Sequence, residues 1–320
     1  MKLSIITINY NNAEGLRKTL ASVASQTYAD IEHIIVDGGS TDGSVEVIRE
    51  YEQSLASRLS PLASNLKWIS EPDKGIYNAM NKGIEIALGR RIVNALNRSE
   101  LVEDKNKGIR MATGEYIEIL NSGDILAADD VTERMMAALA SYSEQCERST
   151  GEAEQQQSDL PTILYGNMIK VNAQGKVVGK SGYTEYSLRQ FYSSTLNHDC
   201  AYIRRDLFEE YGLYDEQLKI VSDWKWYLQA IGLGRVKPEY VDIDVTIFDD
   251  GGISETNLAL RYAERRKVLE EVLPPAVLWD YDTHAFEMEQ MKRLRRWHLY
   301  GLVYFMERVC FKFEKWFCRR

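Results

Sequence analysis

Three aspartates stand at turns or helix starts, where a carboxylate can do chemistry. Asp37 follows the apolar run 31–36, Asp124 closes the turn after the apolar run 116–120, and Asp223 begins a helical segment. An ionised carboxylate can accept charge-assisted hydrogen bonds, coordinate a hard divalent cation or take a proton from a hydroxyl group.

The elements that must position the first of these residues read as strand, helix, strand. Two β-branched runs, 3–8 and 31–36, end in polar turns, and the apolar residues between them recur at helical spacing. This is the opening unit of an open parallel sheet, whose ligands bind beyond the carboxyl ends of the strands. The Gly-x-Gly-x-x-Gly fingerprint of dinucleotide-binding proteins does not follow the first strand.

Five motifs in order along the chain carry a family resemblance. They are Ser4-Ile-Ile-Thr-Ile-Asn-Tyr-Asn-Asn12 with Ile34-Ile-Val-Asp-Gly-Gly-Ser-Thr-Asp-Gly-Ser44, Glu71-Pro-Asp-Lys-Gly-Ile-Tyr-Asn-Ala-Met80, Ala112-Thr-Gly-Glu-Tyr116, Leu120-Asn-Ser-Gly-Asp124 and Val221-Ser-Asp-Trp-Lys-Trp226. Across roughly residues 1 to 260 the chain resembles a family 2 glycosyltransferase of the bacterial polysaccharide-biosynthesis type. The resemblance implies an α/β GT-A fold, an open and mostly parallel nucleotide-binding sheet flanked by helices.

The resemblance also implies a nucleotide-sugar site at the strand ends. Asp37 is expected to accept an N–H from the base, an edge that uracil and guanine both offer; its alternative role is to form the turn before Gly38. The other expected donor contacts lie in the same polar turns: Thr7, Asn9, Tyr10, Gly39, Ser40, Asp73, Lys74, Gly75, Asn121, Ser122 and Gly123. Asp73 and Lys74 are expected near the ribose and phosphates, and solvated turn positions are the alternative.

Asp124 is the expected metal ligand. A divalent cation, Mg²⁺ or Mn²⁺, held by oxygen atoms would neutralise the charge that grows on a diphosphate leaving group. Related enzymes often carry two or three aspartates in this turn, whereas Asn121 and Ser122 occupy the earlier positions here. Cation affinity is therefore expected to depend on the diphosphate as well.

Asp223 is the expected general base. Sugar transfer with inversion needs one carboxylate beside the acceptor hydroxyl, and the resemblance places it in this motif; helix capping is the competing role. His198, Trp224 and Trp226 are expected to bind the acceptor. The alternatives are a buried histidine bonded to the backbone and indoles packed in the core.

The charge distribution separates an acidic body from a basic tail. The whole chain carries a net charge of −9, whereas residues 291–320 contain nine Lys or Arg and two Glu, giving +7. Bulky apolar side chains interleave with these cations, a composition typical of a helix lying on an anionic membrane. A helix packed on protein is the alternative, and the acidic body argues against nucleic acid as a partner.

Two parts are expected: a GT-A domain over 1–265 and a C-terminal helical, basic-aromatic tail over 266–320. Residues 81–89 and 106–114 match at six of nine positions, which suggests an insertion over 85–105, either a lid or a tolerated surface segment. A second insertion is expected over 144–160, with the polar stretch 144–159 forming a loop. The four cysteines lack disulfide or zinc spacing, which fits a reducing compartment.

These observations predict an enzyme, a hexosyltransferase-type inverting glycosyltransferase. The expected substrates are a nucleoside diphosphate sugar, with UDP favoured, and a glycan or lipid-linked saccharide acceptor. Neither a signal peptide nor a membrane span is apparent, so a cytoplasmic protein, peripheral on the inner membrane face through its tail, is expected. Two alternatives are a non-catalytic nucleotide- or glycan-binding relative and, less favoured, a nucleotidyltransferase.

Overall fold

The computed structural model describes residues 1–91, 114–150, 160–172, 174–249, 256–296 and 306. The chain forms two compact units, Met1–Arg265 and Arg266–Arg320. The strands are β1 Leu3–Asn9, β2 Ile31–Asp37, β3 Leu66–Ser70, β4 Tyr116–Asn121, β5 Ile125–Leu126, β6 Ile163–Val171, β7 Val177–Lys180, β8 Ala201–Arg204 and β9 Glu239–Asp249. The α-helices are α1 Ala13–Ala24, α2 Ser44–Ser57, α3 Ile76–Ala87, α4 Val131–Thr150, α5 Leu188–Ser193, α6 Asp206–Glu210, α7 Ser222–Tyr227, α8 Leu258–Val272 and α9 Pro275–Arg296.

One sheet organises the first unit. Its order is β3-β2-β1-β4-β8-β6-β9-β5, with β7 paired to β6. Strands β3, β2, β1 and β4 are parallel, while β8 runs antiparallel to both β4 and β6. Four parallel strands therefore present their carboxyl ends at one edge, and the second half of the sheet is mixed.

Apolar residues cover both faces of the parallel strands. Every residue of β1 and β2 is buried, the pattern of strands covered on both faces. One face packs on α1, α2 and α4 through residues such as Leu16, Ile48 and Met135. The other receives α3, where Gly83 lets the helix approach Ile6.

The structure corrects one predicted loop and gives the bounds of the strand and the helix that follow it. Residues 144–150 of the expected loop belong to α4, since Glu, Gln, Arg and Ser in a polar helix need no apolar face to continue an established helix. Residues 163–171 form a single strand. The helix that carries Asp223 begins at Ser222 and passes into a π-helical turn, Leu228–Leu233. Residues 92–113 and 151–159, which hold most of both expected insertions, lie outside the described residues.

The second unit contains the end of α8 and all of α9. Within it, Arg266 joins the two helices by donating to both carboxylate oxygens of Asp282, at 2.9 and 2.7 Å. Among the residues described, no helix is long and apolar enough to cross a membrane. Apart from Met306, residues 297–320 of the basic tail lie outside the described part of the chain.

Candidate active site

Parallel pairing brings the polar turns to one edge of the sheet. Asn9 of β1 lies in register with Asp37 of β2, and Ile8 lies in register with Asn121 of β4. Asp37 in turn pairs with Ser70 at the end of β3. The motifs expected to bind the donor are thus neighbours in space, although more than eighty residues separate the first from the last.

Asp37 organises the turn that follows β2. Its Oδ1 accepts hydrogen bonds from Asn9 Nδ2 at 2.8 Å and Ser40 Oγ at 2.5 Å, and its Oδ2 accepts from Ser70 Oγ at 2.7 Å and from the Gly39 and Ser40 amides. Burial alone would raise the pKa of Asp37, but these donors outweigh it and lower the pKa. The side chain has no exposed surface. A nucleobase would reach it only if one of these donors moved, so the base contact stays a prediction.

The remaining residues of the first two turns differ in access. Thr7 is fully buried, with its hydroxyl 3.0 Å from His33 Nε2 under the sheet, so the structure gives it no route to a ligand. Asn9 is also buried, and its Oδ1 has no hydrogen-bond partner among the described residues. Tyr10 is 65% exposed at the sheet edge, the position from which an aromatic ring can stack on a base.

Two glycines let the loop after β3 close over the turn after β2. A Cβ at Gly38 would stand 2.3 Å from Asp73 Oδ2 and 3.1 Å from the Tyr10 ring, so a larger residue would require the Asp73 side chain to move. Gly39 has a φ of 79°, in the left-handed region that glycine favours. The 73–75 loop is closed by the Gly75 amide, which donates to Asp73 Oδ1 at 2.9 Å. Tyr10 and Asp73 therefore lie together beside these glycines, with Lys74 exposed next to them.

The turn after β4 buries Asp124. Its Oδ2 accepts from the Asn121 amide at 3.3 Å and from Asn121 Nδ2 at 3.0 Å, and only 4% of the residue is exposed. The turn is anchored from α1, because Asn12 Nδ2 donates to the Ser122 carbonyl and Thr19 Oγ1 accepts from the Gly123 amide. Burial, with the nearby Asp199 carboxylate, raises the pKa of Asp124 to about 7.

These groups suit a cation that is held mainly by the substrate. Among the described residues, no three His, Cys, Asp or Glu side chains cluster as a metal site. Asn121 Oδ1, however, is buried and has no hydrogen-bond partner among the described residues. Hard cations accept an amide oxygen of this kind as a ligand. Mg²⁺ typically keeps waters and binds one or two protein oxygens plus substrate phosphates. Asp124 with Asn121 fits that mode.

Asp223 is held from two sides. Its Oδ1 accepts from the Tyr77 hydroxyl at 2.7 Å, and its Oδ2 lies 3.3 Å from His198 Nδ1. Burial would raise the pKa of Asp223, but the His198 and Tyr77 contacts lower it, so the carboxylate is ionised at neutral pH. Its side chain keeps 15% exposure. The competing role of helix capping receives no support, since Val221 is the N-cap of α7 and no side chain caps it.

His198 joins the two halves of the site. Its Nε2 lies 3.3 Å from Asn121 Nδ2, which also contacts Asp124, while its Nδ1 faces Asp223. Burial lowers the pKa of His198, but the Asp223, Asp199 and Asp124 carboxylates outweigh this and raise it to about 9. The Asn121 and His198 side chains thus lie between the candidate metal ligand and the candidate base.

The two tryptophans occupy core positions, so the expectation that they stack on an acceptor is wrong. Trp224 is 1% exposed and donates from Nε1 to the Phe191 carbonyl at 2.8 Å. Trp226 is 2% exposed and donates to the Gly212 carbonyl at 2.8 Å. Each indole has its polar atom satisfied and its rings packed, which leaves no face for a sugar.

Several residues of the site escaped the sequence analysis. Tyr77 stood within a recognised motif, and its helical position four residues after Asp73 was the available signal. Glu264 and Arg265 follow α7 by forty residues, yet Glu264 accepts from the amides of Lys219 and Ile220 at 2.7 and 2.9 Å. The Arg265 guanidinium lies 4.8 Å from the Trp224 ring centroid. No local pattern announces these contacts, because they depend on how α8 packs.

The comparisons with known proteins agree on one class. Residues 4–95 match the family described as Glycosyl transferase family 2. A PGL/p-HBAD biosynthesis glycosyltransferase of Mycobacterium tuberculosis is 24% identical over 263 residues, 82% of this chain and 82% of the relative. An uncharacterized glycosyltransferase of the same species is 28% identical over 232 residues, 71% of this chain and 68% of the relative.

Solved structures show the same fold. Staphylococcus aureus TarS in complex with UDP superposes with a TM-score of 0.52 and 18% identity, over 78% of this chain and 60% of that chain. Mannosyltransferase PcManGT from Pyrobaculum calidifontis, in complex with GDP-Man and Mn²⁺, superposes with a TM-score of 0.52 and 17% identity, over 86% of this chain and 66% of that chain. This chain thus spans about three fifths to two thirds of the length of these structures. These matches show that residues 4–95 are similar to glycosyltransferase family 2 and that the chain has the α/β GT-A fold.

Proposed function

We propose that this glycosyltransferase moves a sugar from a nucleoside diphosphate sugar to a saccharide acceptor with inversion at the anomeric carbon. One observation carries the proposal: the Asp223 carboxylate is held by the Tyr77 hydroxyl and His198, and these contacts outweigh burial and lower its pKa. A single-displacement transfer needs one such base and no second carboxylate nucleophile.

The donor would lie along the sheet edge beside Tyr10 and Asp73. Tyr10 would stack on the base, and Lys74, which is exposed at the loop, would approach the phosphates. UDP is the first choice of nucleotide and GDP the second, since TarS was solved with UDP and UDP-GlcNAc and PcManGT with GDP-Man. Asp37 would hold the turn that shapes this surface.

Asp124 and the Asn121 amide oxygen would hold the divalent cation, Mg²⁺ or Mn²⁺. The cation, when bound, would neutralise negative charge on the leaving diphosphate. The proposal is supported by the Asn121 amide oxygen, which is buried without a hydrogen-bond partner among the described residues, and by the Asp124 carboxyl group, whose pKa burial and the Asp199 charge raise, so that a bound cation would favour its ionised form. PcManGT, a similar fold, was solved with Mn²⁺.

Proton transfer falls to Asp223. The acceptor hydroxyl would give its proton to this carboxylate as its oxygen attacks the anomeric carbon and the bond from that carbon to the diphosphate breaks. Positioned general bases of this kind contribute about 10²- to 10⁴-fold to the rate. Tyr77, whose pKa burial and the Asp223 charge raise well above its ordinary value, keeps its proton and fixes the carboxylate.

The charge of the C-terminal region supports a proposal for the acceptor and the place of action. Residues 1–265 would be the catalytic domain and 266–320 a basic appendage. A net charge of +7 over 291–320 suits the anionic inner face of a cytoplasmic membrane, where a lipid-linked saccharide acceptor would lie. The protein would then be cytoplasmic and peripheral, and active in polysaccharide biosynthesis.

A donor screen tests the proposal. Full-length protein is mixed with UDP-, GDP- and dTDP-sugars, with and without Mn²⁺, and diphosphate release and thermal stabilisation are measured. Metal-dependent stabilisation by one nucleotide class with slow release of its diphosphate is expected. The sugar released to water from an α-linked donor should appear first as the β-anomer by NMR. A response to no donor would favour a non-catalytic binding protein, and the α-anomer would contradict inversion.

A further inference from the structure

The segment that leads into α7 is held by a carboxylate from another helix. Asp223 is the second residue of α7, and among the described residues no side chain caps the N-terminus of this helix. The backbone amides of Lys219 and Ile220, just before α7, donate instead to Glu264 of α8. Glu264 Oε1 accepts from the Lys219 amide at 2.7 Å, and Oε2 accepts from the Ile220 amide at 2.9 Å. Both oxygens of one side chain thus bind two consecutive peptide groups ahead of the candidate base.

This contact is buried, which makes it a strong constraint on the backbone. Glu264 is 8% exposed and Ile220 is 7% exposed. Hydrogen bonds to an ionised carboxylate are shorter and stronger than those between neutral groups, and a buried amide that loses its partner is destabilised. The position of the segment before α7 is therefore set by a residue 44 positions further along the chain.

The next residue of α8 contacts the residue that follows the base. The Arg265 guanidinium lies 4.8 Å from the centroid of the Trp224 ring, within the range of a cation–π interaction. Its Nη2 also donates to the Ser194 carbonyl at 3.3 Å. Two adjacent residues of α8 thus bind the chain on either side of Asp223, one before α7 and one within it.

Helix α3 holds the start of the same segment. Asn81, which is 5% exposed, donates from Nδ2 to the Tyr214 carbonyl and accepts at Oδ1 from the Tyr214 amide, both at 2.9 Å. Asn81 lies one helical turn after Tyr77, the residue whose hydroxyl donates to Asp223. The segment 214–220 is therefore fixed by α3 at its beginning and by α8 at its end.

The contacts of Asp223 depend on where this segment places α7. The helix has only six residues, and helices this short depend on packing against the rest of the protein. Asp223 meets Tyr77 at 2.7 Å and His198 at 3.3 Å, and both partners lie on other elements. Misplacement of a reacting group by about 1 Å can cost about 10²-fold in rate. Release of the backbone before α7 would therefore impair proton transfer without touching a substrate.

We propose that Glu264 is a positioning residue for the transfer reaction, which holds the backbone before α7 so that Asp223 can take the proton of the acceptor hydroxyl. In this role Glu264 acts only through Asp223. The inference rests on the proposed function, because it requires Asp223 to be the base. It assigns the first part of α8, which lies beyond the last recognised motif, to the machinery that positions the base.

Kinetics of the full chain test this role in Glu264→Ala and Glu264→Gln. The rate of diphosphate release is measured with the nucleotide sugar that the donor screen selects, and the donor dissociation constant is measured separately. Glu264→Ala removes both acceptors, so kcat should fall at least about tenfold while the dissociation constant stays within about twofold of wild type. Glu264→Gln keeps one acceptor oxygen and should lose only about threefold.

Two control variants separate position from stability. Glu270→Gln removes an exposed carboxylate of the same helix, one that pairs with Arg266 at 2.7 Å, and should leave kcat unchanged. Glu32→Gln breaks the buried pair with Lys67 in β2. It should lower the melting temperature and leave kcat unchanged at a temperature where the protein is folded. A loss of kcat in Glu32→Gln equal to that in Glu264→Ala would show that reduced stability explains both, and would overturn the positioning role.

A double-mutant cycle shows whether Glu264 acts through the base. Added to Asp223→Asn, Glu264→Ala should lower the residual rate by less than about twofold, because the group that it positions is already absent. An equal loss in both backgrounds, or a wild-type kcat in Glu264→Ala, overturns the positioning role and leaves the proposed function standing. Absence of donor hydrolysis in the wild type contradicts the proposed function, and the role of Glu264 with it.

Discussion

The Tyr77 hydroxyl lies 2.7 Å from Asp223 Oδ1 and joins side chains that are 146 residues apart in the chain. Tyr77 is the second residue of α3, directly after the loop that carries Asp73. Near the other end of the same loop, Gly38 brings Asp73 against the turn after β2. The loop expected to hold the donor and the carboxylate expected to act as base are therefore positioned by the same helix.

Tyr77→Phe should impair transfer without impairing donor binding. The Tyr77 hydrogen bond lowers the pKa of Asp223, so its removal raises that pKa and moves the acid limb of the pH–rate profile to higher pH. Because the carboxylate also loses one of the two side chains that hold it in position, kcat should fall about tenfold. Steady-state kinetics over pH 4 to about 9 measure both effects.

Tyr51→Phe provides the matched control. Tyr51 is a nearly buried tyrosine whose hydroxyl lies 3.0 Å from His33 Nδ1, so the same atom is removed away from the site. Its kcat and pH–rate profile should equal those of the wild type. An unchanged acid limb in Tyr77→Phe would show that this hydrogen bond does not tune the catalytic carboxylate.

Cation binding should depend on pH through Asp124. Because the pKa of Asp124 is raised to about 7, a cation must displace a proton at lower pH. Mn²⁺ affinity measured in the presence of the matching nucleoside diphosphate should fall about tenfold between pH 8 and pH 6. In Asp124→Asn the affinity should be weak and independent of pH over this range, and a wild-type pH dependence in that variant would exclude Asp124 as the ligand.

His198 should make the cation-free protein more stable at neutral than at alkaline pH. Its pKa is raised from 6.5 to about 9 in the folded state, so its stabilising contribution is complete below about 6.5 and is lost as the pH rises through 9. Urea unfolding of the wild type should show this loss, and His198→Gln should flatten the curve between these values. An identical pH dependence in His198→Gln would contradict a charged His198.

Glu118→Gln should stabilise the protein at pH 8. Glu118 is fully buried, and burial with the nearby Asp199 carboxylate raises its pKa well above the ordinary value, although the Tyr202 hydroxyl acts in the opposite direction. An acid with a raised pKa loses stabilising free energy as the pH rises above its unfolded value, and a neutral amide does not.

Glu32→Gln is the contrasting control for Glu118. Glu32 is 1% exposed but is paired with the Lys67 ammonium and accepts from Ser4 Oγ at 2.8 Å. Removing its charge leaves Lys67 uncompensated and should cost about 3 kcal/mol of unfolding free energy. A loss of stability in Glu118→Gln as large as that in Glu32→Gln would show that Glu118 is ionised and paired.

The parallel half of the fold was predictable because its signals are local. The apolar runs of β1 and β2, the helical spacing in α1 and the glycine turns each report on neighbouring residues, and strand pairing then brings Asn9 beside Asp37. The mixed half was less accessible. The antiparallel return through β8 and the long β6 depend on contacts between segments far apart, which a local pattern does not encode.

The chemistry of the site was predictable in part for a related reason. Asp124 and Asp223 were selected by residue type and motif, and in the structure Asn121 and His198 lie between them. Their roles as metal ligand and general base stay predictions. Trp224 was misjudged, because the sequence shows its neighbour Asp223 but not the Phe191 carbonyl that receives its indole N–H. Burial is a property of packing, and two adjacent residues on a helix point in different directions.

The role of Asp223 as the general base is tested by measuring sugar transfer by Asp223→Asn together with the affinity of this variant for the donor. If Asp223 is the base, kcat should fall at least about 10²-fold while the donor dissociation constant stays within about twofold of wild type. Asp130→Asn, an exposed aspartate at the start of α4, should leave both values unchanged. Transfer by Asp223→Asn at a rate near that of the wild type would exclude Asp223 as the general base.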